Sequence, residues 1–258
     1  MKTLHSQLPH PEKSISIESS RWIEYISMIV KKTKQLAMDH TIIIEKKSII
    51  EILENAIDTV HYKDEETNGH MNRLGILSEF LWNIIIQQEW IQTLDERYIE
   101  YLWMTAPLHD IWKLWIPYHI LTKPWKLTAE EYDVIKTHPI IGWEIIEDIR
   151  RIIWRWPILE MAQDISLYHH EKYDGSWYPY WLQWKQIPLA ARIVAIIDVL
   201  DVLKSRRIYK ENSFDDEMVY KIINEWRWTH FDPDITDIVL ENLDLILKKR
   251  DEIRENVY

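Results

Sequence analysis

Residues 109–117 read HDIWKLWIP, a stretch in which His109 and Asp110 are adjacent and Lys113 follows three residues later. Imidazole and carboxylate groups are both ligands of transition metals, so the adjacent pair indicates a metal centre. The two tryptophans of the stretch, Trp112 and Trp115, are unexpected there, because an indole is the bulkiest side chain and would crowd the polar groups. The stretch therefore raises two questions: which residues complete the site, and why the tryptophans are present.

Four further histidines and a second aspartate extend the pair into an ordered series along the chain. Each member lies in a segment with helical periodicity or at its end, so a helical bundle can direct all of them toward one centre. Imidazole combined with carboxylate suits iron or manganese, while zinc stays open, and Asp110 is the natural bridge between neighbouring ions. The metal-ligand candidates of this series are His70, His109, Asp110, His138, His169, His170 and Asp198.

Helical periodicity covers most of the chain, and strand signals are scarce. Thr128 and Glu131 have the spacing of a capping box at the start of one helix. The sequence therefore predicts an all-α fold. The predicted helices are 20–38, 48–60, 71–89, 97–109, 128–136, 139–150, 157–170, 188–204, 214–225 and 234–254.

The predicted organisation is a short N-terminal extension followed by one main domain. Residues 1–46 combine a polar leader with an amphipathic helix, and residues 47–258 form the main domain. The helix over 20–38 has two interpretations, since its apolar face can pack on the body of the same chain or form a homodimer with a second copy.

Composition excludes several classes of protein. The 258 residues are 47% hydrophobic, enough for one substantial core. A net charge of −11 argues against binding to a nucleic acid polymer. The chain has no cysteine, which excludes disulfides and thiolate-bound zinc and favours the cytoplasm. No apolar run approaches the roughly 20 residues of a membrane-spanning helix, and the N-terminus lacks the apolar centre of a signal peptide.

The chain resembles the HD-GYP family of the HD superfamily, which are metal-dependent phosphodiesterases of cyclic dinucleotides. The similarity extends from about residue 47 to about residue 250, over several ordered motifs. Residues 106–113 (APLHDIWK) match the HDxxK segment, and residues 169–179 (HHEKYDGSWYP) match HHExxDGxGYP. The other matching segments are 64–70 (DEETNGH), 123–128 (KPWKLT), 136–139 (KTHP), 187–193 (IPLAARI), 198–201 (DVLD) and 205–210 (SRRIYK).

This resemblance implies an HD-domain helical bundle that holds two or three divalent metal ions, with iron or manganese favoured. The seven residues of the series match metal ligands of the family. Glu66 matches a further ligand associated with a third ion, and it lies one helical turn before His70.

The resemblance also implies the reaction and the residues around the substrate. A metal-bridged hydroxide would attack phosphorus and open cyclic di-GMP to linear pGpG, and a second round would yield GMP. Lys113 matches the lysine beside the attacked phosphate, with Asp110 as its catalytic partner, while Arg207, Lys210 and Tyr178 match residues that contact the ligand.

Two alternatives stay open: an inactive cyclic-dinucleotide sensor or scaffold, and a phosphohydrolase of another nucleotide. The chain departs from the family at Tyr118, Lys204 and Ile208, where Asp, Thr and Pro are frequent.

Glycine and tryptophan usage is abnormal. The chain has 4 glycines and 15 tryptophans, whereas average usage of about 7% predicts roughly 18 glycines. Our hypothesis is that many of these tryptophans are UGA codons that the source organism reads as glycine; the alternative is a genuinely tryptophan-rich, inactivated relative. Trp22 and Trp82 lie on apolar helix faces and fit as authentic tryptophans. The tryptophans that stand where the family has glycine are Trp90, Trp112, Trp115, Trp125, Trp177, Trp181, Trp184, Trp226 and Trp228.

Overall fold

The computed structural model describes residues 65–88, 97–121, 123–152, 157–205 and 213–255. Ten α-helices and three short 3-10 turns account for most of these residues, and no strand occurs among them, which confirms the all-α prediction. The helices are α1 (Glu65–Gln87), α2 (Tyr98–Thr105), α3 (Tyr118–Leu121), α4 (Ala129–Ile135), α5 (His138–Ile152), α6 (Pro157–Tyr168), α7 (Leu189–Lys204), α8 (Asp216–Glu225), α9 (Pro233–Glu241) and α10 (Leu243–Glu255). The 3-10 turns are Ala106–Leu108, Ile111–Trp115 and Trp184–Gln186.

The core forms around α1, which packs against α2, α7 and α10. Leu74, Leu77, Leu81 and Ile85 recur at helical spacing along one face of α1, and all four are fully buried. This face supplies the apolar stripe that an amphipathic helix needs in order to dock on its neighbours. Helices α6 and α7 pack against each other, and α5 packs on α6, so the segments that carry the histidine series converge on one side of the core.

The predicted helix start at Thr128 is confirmed. Its side chain accepts a hydrogen bond from the Glu131 backbone N–H, and the Glu131 carboxylate accepts one from the Thr128 backbone N–H, which completes a capping box. The reciprocal pair satisfies two backbone donors that the helix itself leaves without partners. Helix α4 therefore begins where the sequence predicts, and it ends just before His138.

Three predicted helix bounds were wrong. The helix predicted over 71–89 begins earlier, at Glu65, and ends at Gln87. The single helix predicted over 234–254 is divided at Asn242, which has φ −117° and ψ 17° and whose side-chain amide donates to the Ile238 carbonyl. This side-chain bond competes with the helical backbone pattern. The helix predicted over 97–109 ends as an α-helix at Thr105, because Pro107 has no backbone N–H to continue the helical hydrogen bonds, and a 3-10 turn follows.

The N-terminal predictions concern residues outside the described part of the chain. These are the leader, the boundary near residue 46, the helices over 20–38 and 48–60, and the homodimer contact through 20–38. Within the described residues, no helix combines the length and the apolar character needed to cross a membrane.

Candidate metal centre

Seven side chains converge from distant parts of the chain into one cluster of potential ligands. Four of them offer ligand atoms that lie within 4.8 Å of one another, and a second group of three meets the same limit. The two groups are contiguous, since His109 Nε2 lies 3.4 Å from Asp110 Oδ2 and 4.0 Å from Asp198 Oδ1. All seven residues of the predicted series are therefore brought together: Asp110, His138, His169 and His170 in the first group, and His70, His109 and Asp198 in the second.

Backbone carbonyls fix the tautomer of three of these histidines. Nδ1 of His109 lies 3.0 Å from the Ala106 carbonyl, and Nδ1 of His138 lies 2.8 Å from the Ile135 carbonyl. Nδ1 of His169 likewise lies 2.9 Å from the Ile165 carbonyl. A carbonyl can only accept, so each Nδ1 carries the proton and each Nε2 presents a lone pair. The sequence positions each histidine just after a helical turn, within reach of a carbonyl three or four residues earlier. The Ala106 and Ile165 carbonyls also accept the backbone N–H of His109 and His169.

Burial favours the neutral form of His169 and His170. His109 and His138 are fully buried and His169 is 3% exposed. Burial lowers the pKa of His169 to about 4 and holds the pKa of His170 well below its usual value. Neutral imidazole is the form that coordinates a metal.

Several polar atoms of the cluster have no hydrogen-bond partner among the described residues: His109 Nε2, His170 Nε2 and Asp110 Oδ1. Buried lone pairs without a donor are costly, and a cation bound among them removes that cost. The donor set of four imidazoles and a carboxylate around them fits a divalent transition metal.

The second group has a different electrostatic balance. His70 lies between two carboxylates, with Nε2 3.3 Å from Asp198 Oδ1 and Nδ1 2.8 Å from Asp201 Oδ2. Burial alone would lower the pKa of His70, but the hydrogen bonds to Asp198 and Asp201 outweigh it and raise that pKa to about 10. A divalent cation bound to this group would take the place of the Nε2 proton.

Asp201 is a further functional residue, and its role is not indicated by the 198–201 motif in which it stands. Asp201 follows Asp198 by three residues in α7, so the two carboxylates share one helix face. Its contacts with Arg73 of α1 and Arg250 of α10 could not be read from the sequence, because the three residues lie far apart in the chain.

Lys113 lies at the edge of the cluster. Its Nζ is 2.5 Å from Asp110 Oδ2, and about a third of its side chain is exposed. Burial would raise the pKa of Asp110, but the positive charge of Lys113 outweighs it and holds that pKa well below its usual value. The ring of Tyr178 lies 5.0 Å from the ring of His170, so it borders the same cluster.

Three predicted site residues cannot be located by their side chains. The backbone of Glu66 belongs to α1, but its side chain is outside the description, and Arg207 and Lys210 lie outside the described residues.

Glu171 organises the loop that follows the two adjacent histidines. It is 2% exposed, and its carboxylate accepts hydrogen bonds from the backbone N–H groups of Tyr180, at 2.6 Å, and Leu182, at 3.1 Å. The loop is thereby folded back onto the end of α6, and Tyr178 is held beside the cluster. Sequence reasoning assigned no role to Glu171 beyond its place in the motif.

Trp112 is packed tightly beside the centre, as the sequence led us to expect. It is 4% exposed, and its indole nitrogen has no hydrogen-bond partner among the described residues. A Cβ placed on Gly142 would meet the Trp112 ring at 2.1 Å, so the indole occupies the space that Gly142 leaves. The turn that carries Lys113 is therefore crowded.

Comparison with known proteins agrees with this geometry. Residues 88–235 match the HD domain family. The chain is 40% identical over 182 residues to a protein of Vibrio cholerae named cyclic di-GMP phosphodiesterase, which covers 69% of this chain and 36% of that protein. It is 35% identical over 208 residues to a Thermotoga maritima protein of the same name, covering 79% of this chain and 53% of that one. The predicted resemblance to HD-GYP proteins is confirmed.

A third relative and a solved structure complete the comparison. The chain is 34% identical over 194 residues to a Vibrio cholerae protein named 3'3'-cGAMP-specific phosphodiesterase 2, covering 75% of this chain and 35% of that protein. The chain thus spans about a third to a half of the length of these curated relatives. The structure of Bd1817, a HDG"Y"P protein from Bdellovibrio bacteriovorus, superposes with a TM-score of 0.50 at 14% identity, over 85% of this chain and 68% of that one, which supports the fold.

Proposed function

The chain belongs to the HD domain family, and from this premise we propose that it is a metal-dependent phosphodiesterase that hydrolyses cyclic di-GMP. The observation that carries the proposal is the cluster of seven ligand residues, in which three buried histidines turn their Nε2 lone pairs toward one centre. The names of the relatives supply the substrate class, since two of those described above are named cyclic di-GMP phosphodiesterases.

The proposed ligands form two metal sites, and one further residue would extend them to a third ion. One ion would be held by Asp110, His138, His169 and His170, and another by His70, His109 and Asp198. Glu66 would be a ligand of a third ion. The mixed imidazole and carboxylate donors support iron or manganese. When bound, such ions lower the pKa of a coordinated water and neutralise charge on the phosphate.

Residues of the chain itself would orient the substrate. Lys113 Nζ, 2.5 Å from Asp110 Oδ2 and partly exposed, would donate to an oxygen of the attacked phosphate as negative charge develops there. Tyr178 would border the bound nucleotide, while Arg207 and Lys210 would contact its second phosphate or a base edge. Hydrolysis breaks one bond from phosphorus to a ribose 3'-oxygen and leaves a linear dinucleotide, and a second hydrolysis would give mononucleotides.

The test is turnover by the purified protein loaded with Mn²⁺ or Fe²⁺, with cyclic di-GMP and 3'3'-cGAMP as substrates and chromatography to identify the linear product. We expect His109→Ala and Asp110→Ala to abolish turnover. His119→Ala is the matched control, because His119 is exposed and lies outside the cluster. Full activity in Asp110→Ala would reject the proposal. Tight binding of cyclic di-GMP by the wild type without any product would instead support a sensor.

Two further proposals concern context. The absence of cysteine supports the cytoplasm as the location. A homodimer through residues 20–38 is supported only by the apolar periodicity of that segment, and measurement of the molar mass in solution, with and without residues 1–46, tests it.

A further inference from the structure

Asp201 is a buried carboxylate that accepts hydrogen bonds from three side chains. Arg73 donates through Nε to Oδ1 at 2.7 Å and through Nη2 to Oδ2 at 2.9 Å. Arg250 donates through Nε to Oδ1 at 2.7 Å. The third partner is Nδ1 of His70, 2.8 Å from Oδ2. Asp201 itself is fully buried, and Arg250 is 2% exposed.

The two arginines that fix the carboxylate belong to two different helices. Arg73 lies one turn after His70 in α1, whereas Arg250 lies in α10 and also donates to Ser205 Oγ at 2.9 Å. A buried carboxylate held by two guanidinium groups has little freedom to rotate. Its Oδ2 is therefore a fixed acceptor for His70, and a carboxylate oxygen can accept only if Nδ1 carries the proton.

We infer that Asp201 is a positioning residue that fixes the ring and tautomer of His70, so that its Nε2 faces Asp198 and the metal centre. The inference rests on the proposed function in taking His70 as a ligand. A carboxylate bound to the far nitrogen of a ligating histidine orients the ring and increases its basicity. Through Arg250, the geometry of α10 contributes to the position of His70.

The test is a titration of the metal-free protein with Mn²⁺. The affinity is measured by calorimetry and by the electron paramagnetic resonance signal of free Mn²⁺. We expect Asp201→Asn to weaken the affinity of the His70 site by about 10- to 100-fold. Asp232→Asn is the matched control, because Asp232 is also buried and paired with an arginine, Arg192, but touches no residue of the cluster. Both variants should lower the melting temperature, and only Asp201→Asn should lower metal affinity.

Wild-type affinity in Asp201→Asn would overturn the inference. Because that variant can also fail to fold, a second measurement uses the wild type loaded with Zn²⁺: the ¹⁵N spectrum of labelled histidines, with His70 assigned by its loss in His70→Gln. We expect a protonated Nδ1, and an unprotonated Nδ1 would overturn the inference. Metal binding by the wild type without hydrolysis of cyclic di-GMP would reject the proposed function and leave both measurements on Asp201 valid.

A separate observation concerns the tryptophans. Among the described residues, three that are not glycine have a left-handed backbone, and all three are tryptophans: Trp181, Trp184 and Trp228, with φ of 57°, 54° and 72°. A side chain with a Cβ is strained in this region, whereas glycine adopts it freely. Gly175, in the same loop as Trp181 and Trp184, has φ 76°.

The indoles of these three residues contribute little packing that would offset the strain. Trp181 is 63% exposed, Trp184 is 60% exposed and Trp228 is 61% exposed. The backbone, by contrast, makes a structural contact. The Trp184 N–H donates to the Tyr173 carbonyl at 2.8 Å and so closes the loop near the metal centre. The conformation at these positions is therefore set by the main chain, and the side chain is incidental.

We propose that positions 181, 184 and 228 carry glycine in the protein that the source organism makes, because UGA is read there as glycine. Reading the gene tests this directly: UGA at the three positions is expected, and UGG would overturn the proposal. In the protein, Trp181→Gly, Trp184→Gly and Trp228→Gly should each raise the melting temperature. Trp82→Gly is the control and should lower the melting temperature, because Trp82 is 2% exposed and its ring packs at a tilt against the ring of Tyr98. A fall in all four variants would contradict the proposal.

Discussion

The Nε2 atoms of His138 and His169 face each other across 3.5 Å, although both rings carry their proton on Nδ1. Two lone pairs at this distance repel, and neither neutral ring can donate to the other without losing its bond to a backbone carbonyl. Both rings are held in place by helix ends. His138 lies between the end of α4 and the start of α5, and His169 lies at the end of α6. A cation bound between the two lone pairs would remove this repulsion, which supports the proposed metal centre.

We expect Mn²⁺ to raise the melting temperature of the protein. A ligand that binds only the folded state, present at 100 times its dissociation constant, raises the free energy of unfolding by about 2.7 kcal/mol. Thermal denaturation at increasing Mn²⁺ concentration measures this rise. His169→Gln should remove most of it and His119→Ala should retain it; an equal rise in both variants would contradict the assignment of His169.

Lys113→Met is expected to reduce kcat for cyclic di-GMP by about 10²- to 10³-fold, the usual effect of removing one donor to a developing negative charge. Metal content, measured by elemental analysis, should stay unchanged, because Lys113 contacts Asp110 from the edge of the cluster. Lys136→Met is the control, since Lys136 forms a surface ion pair with Asp133. Equal kcat values for the two variants would remove Lys113 from the proposed mechanism.

The sequence predicts the helices well where they carry their own local signals. The apolar face of α1 and the capping box at Thr128 depend on residues within a few positions of one another, so they are visible without the fold. The histidine series is visible for a different reason, because adjacent ligand types are rare by chance and each member lies on a helix or at a helix end.

Features that depend on distant contacts could not be predicted. The contact of Asp201 with His70 requires α1 and α7 to pack side by side, and its contact with Arg250 requires α10 to return to the same place. The break at Asn242 depends on one side-chain hydrogen bond that the apolar pattern does not reveal. The left-handed backbone at Trp181 is not indicated by the residue type. It is indicated only by the resemblance to a family that has glycine at this position.

Stability should fall as pH rises between about 4 and 7, because of Asp164. Burial, with a further contribution from Glu160, raises the pKa of Asp164 to about 7. In this range the Asp164 carboxyl keeps a proton in the folded chain that it has lost in the unfolded chain. The contribution of Asp164 to the free energy of unfolding is therefore complete at low pH and disappears as pH passes 7. The difference from an ordinary aspartate corresponds to at most about 4 kcal/mol.

Asp164→Asn should therefore be more stable than the wild type at pH 8, and the two should converge near pH 4. Urea denaturation at both pH values measures the free energies of unfolding. Asp148→Asn serves as the control, because Asp148 is exposed on α5. If the wild type and Asp164→Asn have the same pH dependence, burial of Asp164 does not have the effect described.

Trp112→Gly distinguishes an authentic tryptophan from a recoded glycine by the sign of its effect. Trp112 is 4% exposed and fills the space above Gly142. An authentic buried tryptophan removed in this way leaves a cavity and costs about 3–5 kcal/mol, as for other large residues in a core. If glycine is the natural residue, the surrounding chain is suited to glycine, and the buried indole nitrogen without a partner is a cost that the substitution removes. We therefore expect Trp112→Gly to raise both the melting temperature and the turnover of cyclic di-GMP, measured side by side with the wild type; a large fall in melting temperature would establish Trp112 as an authentic part of the core.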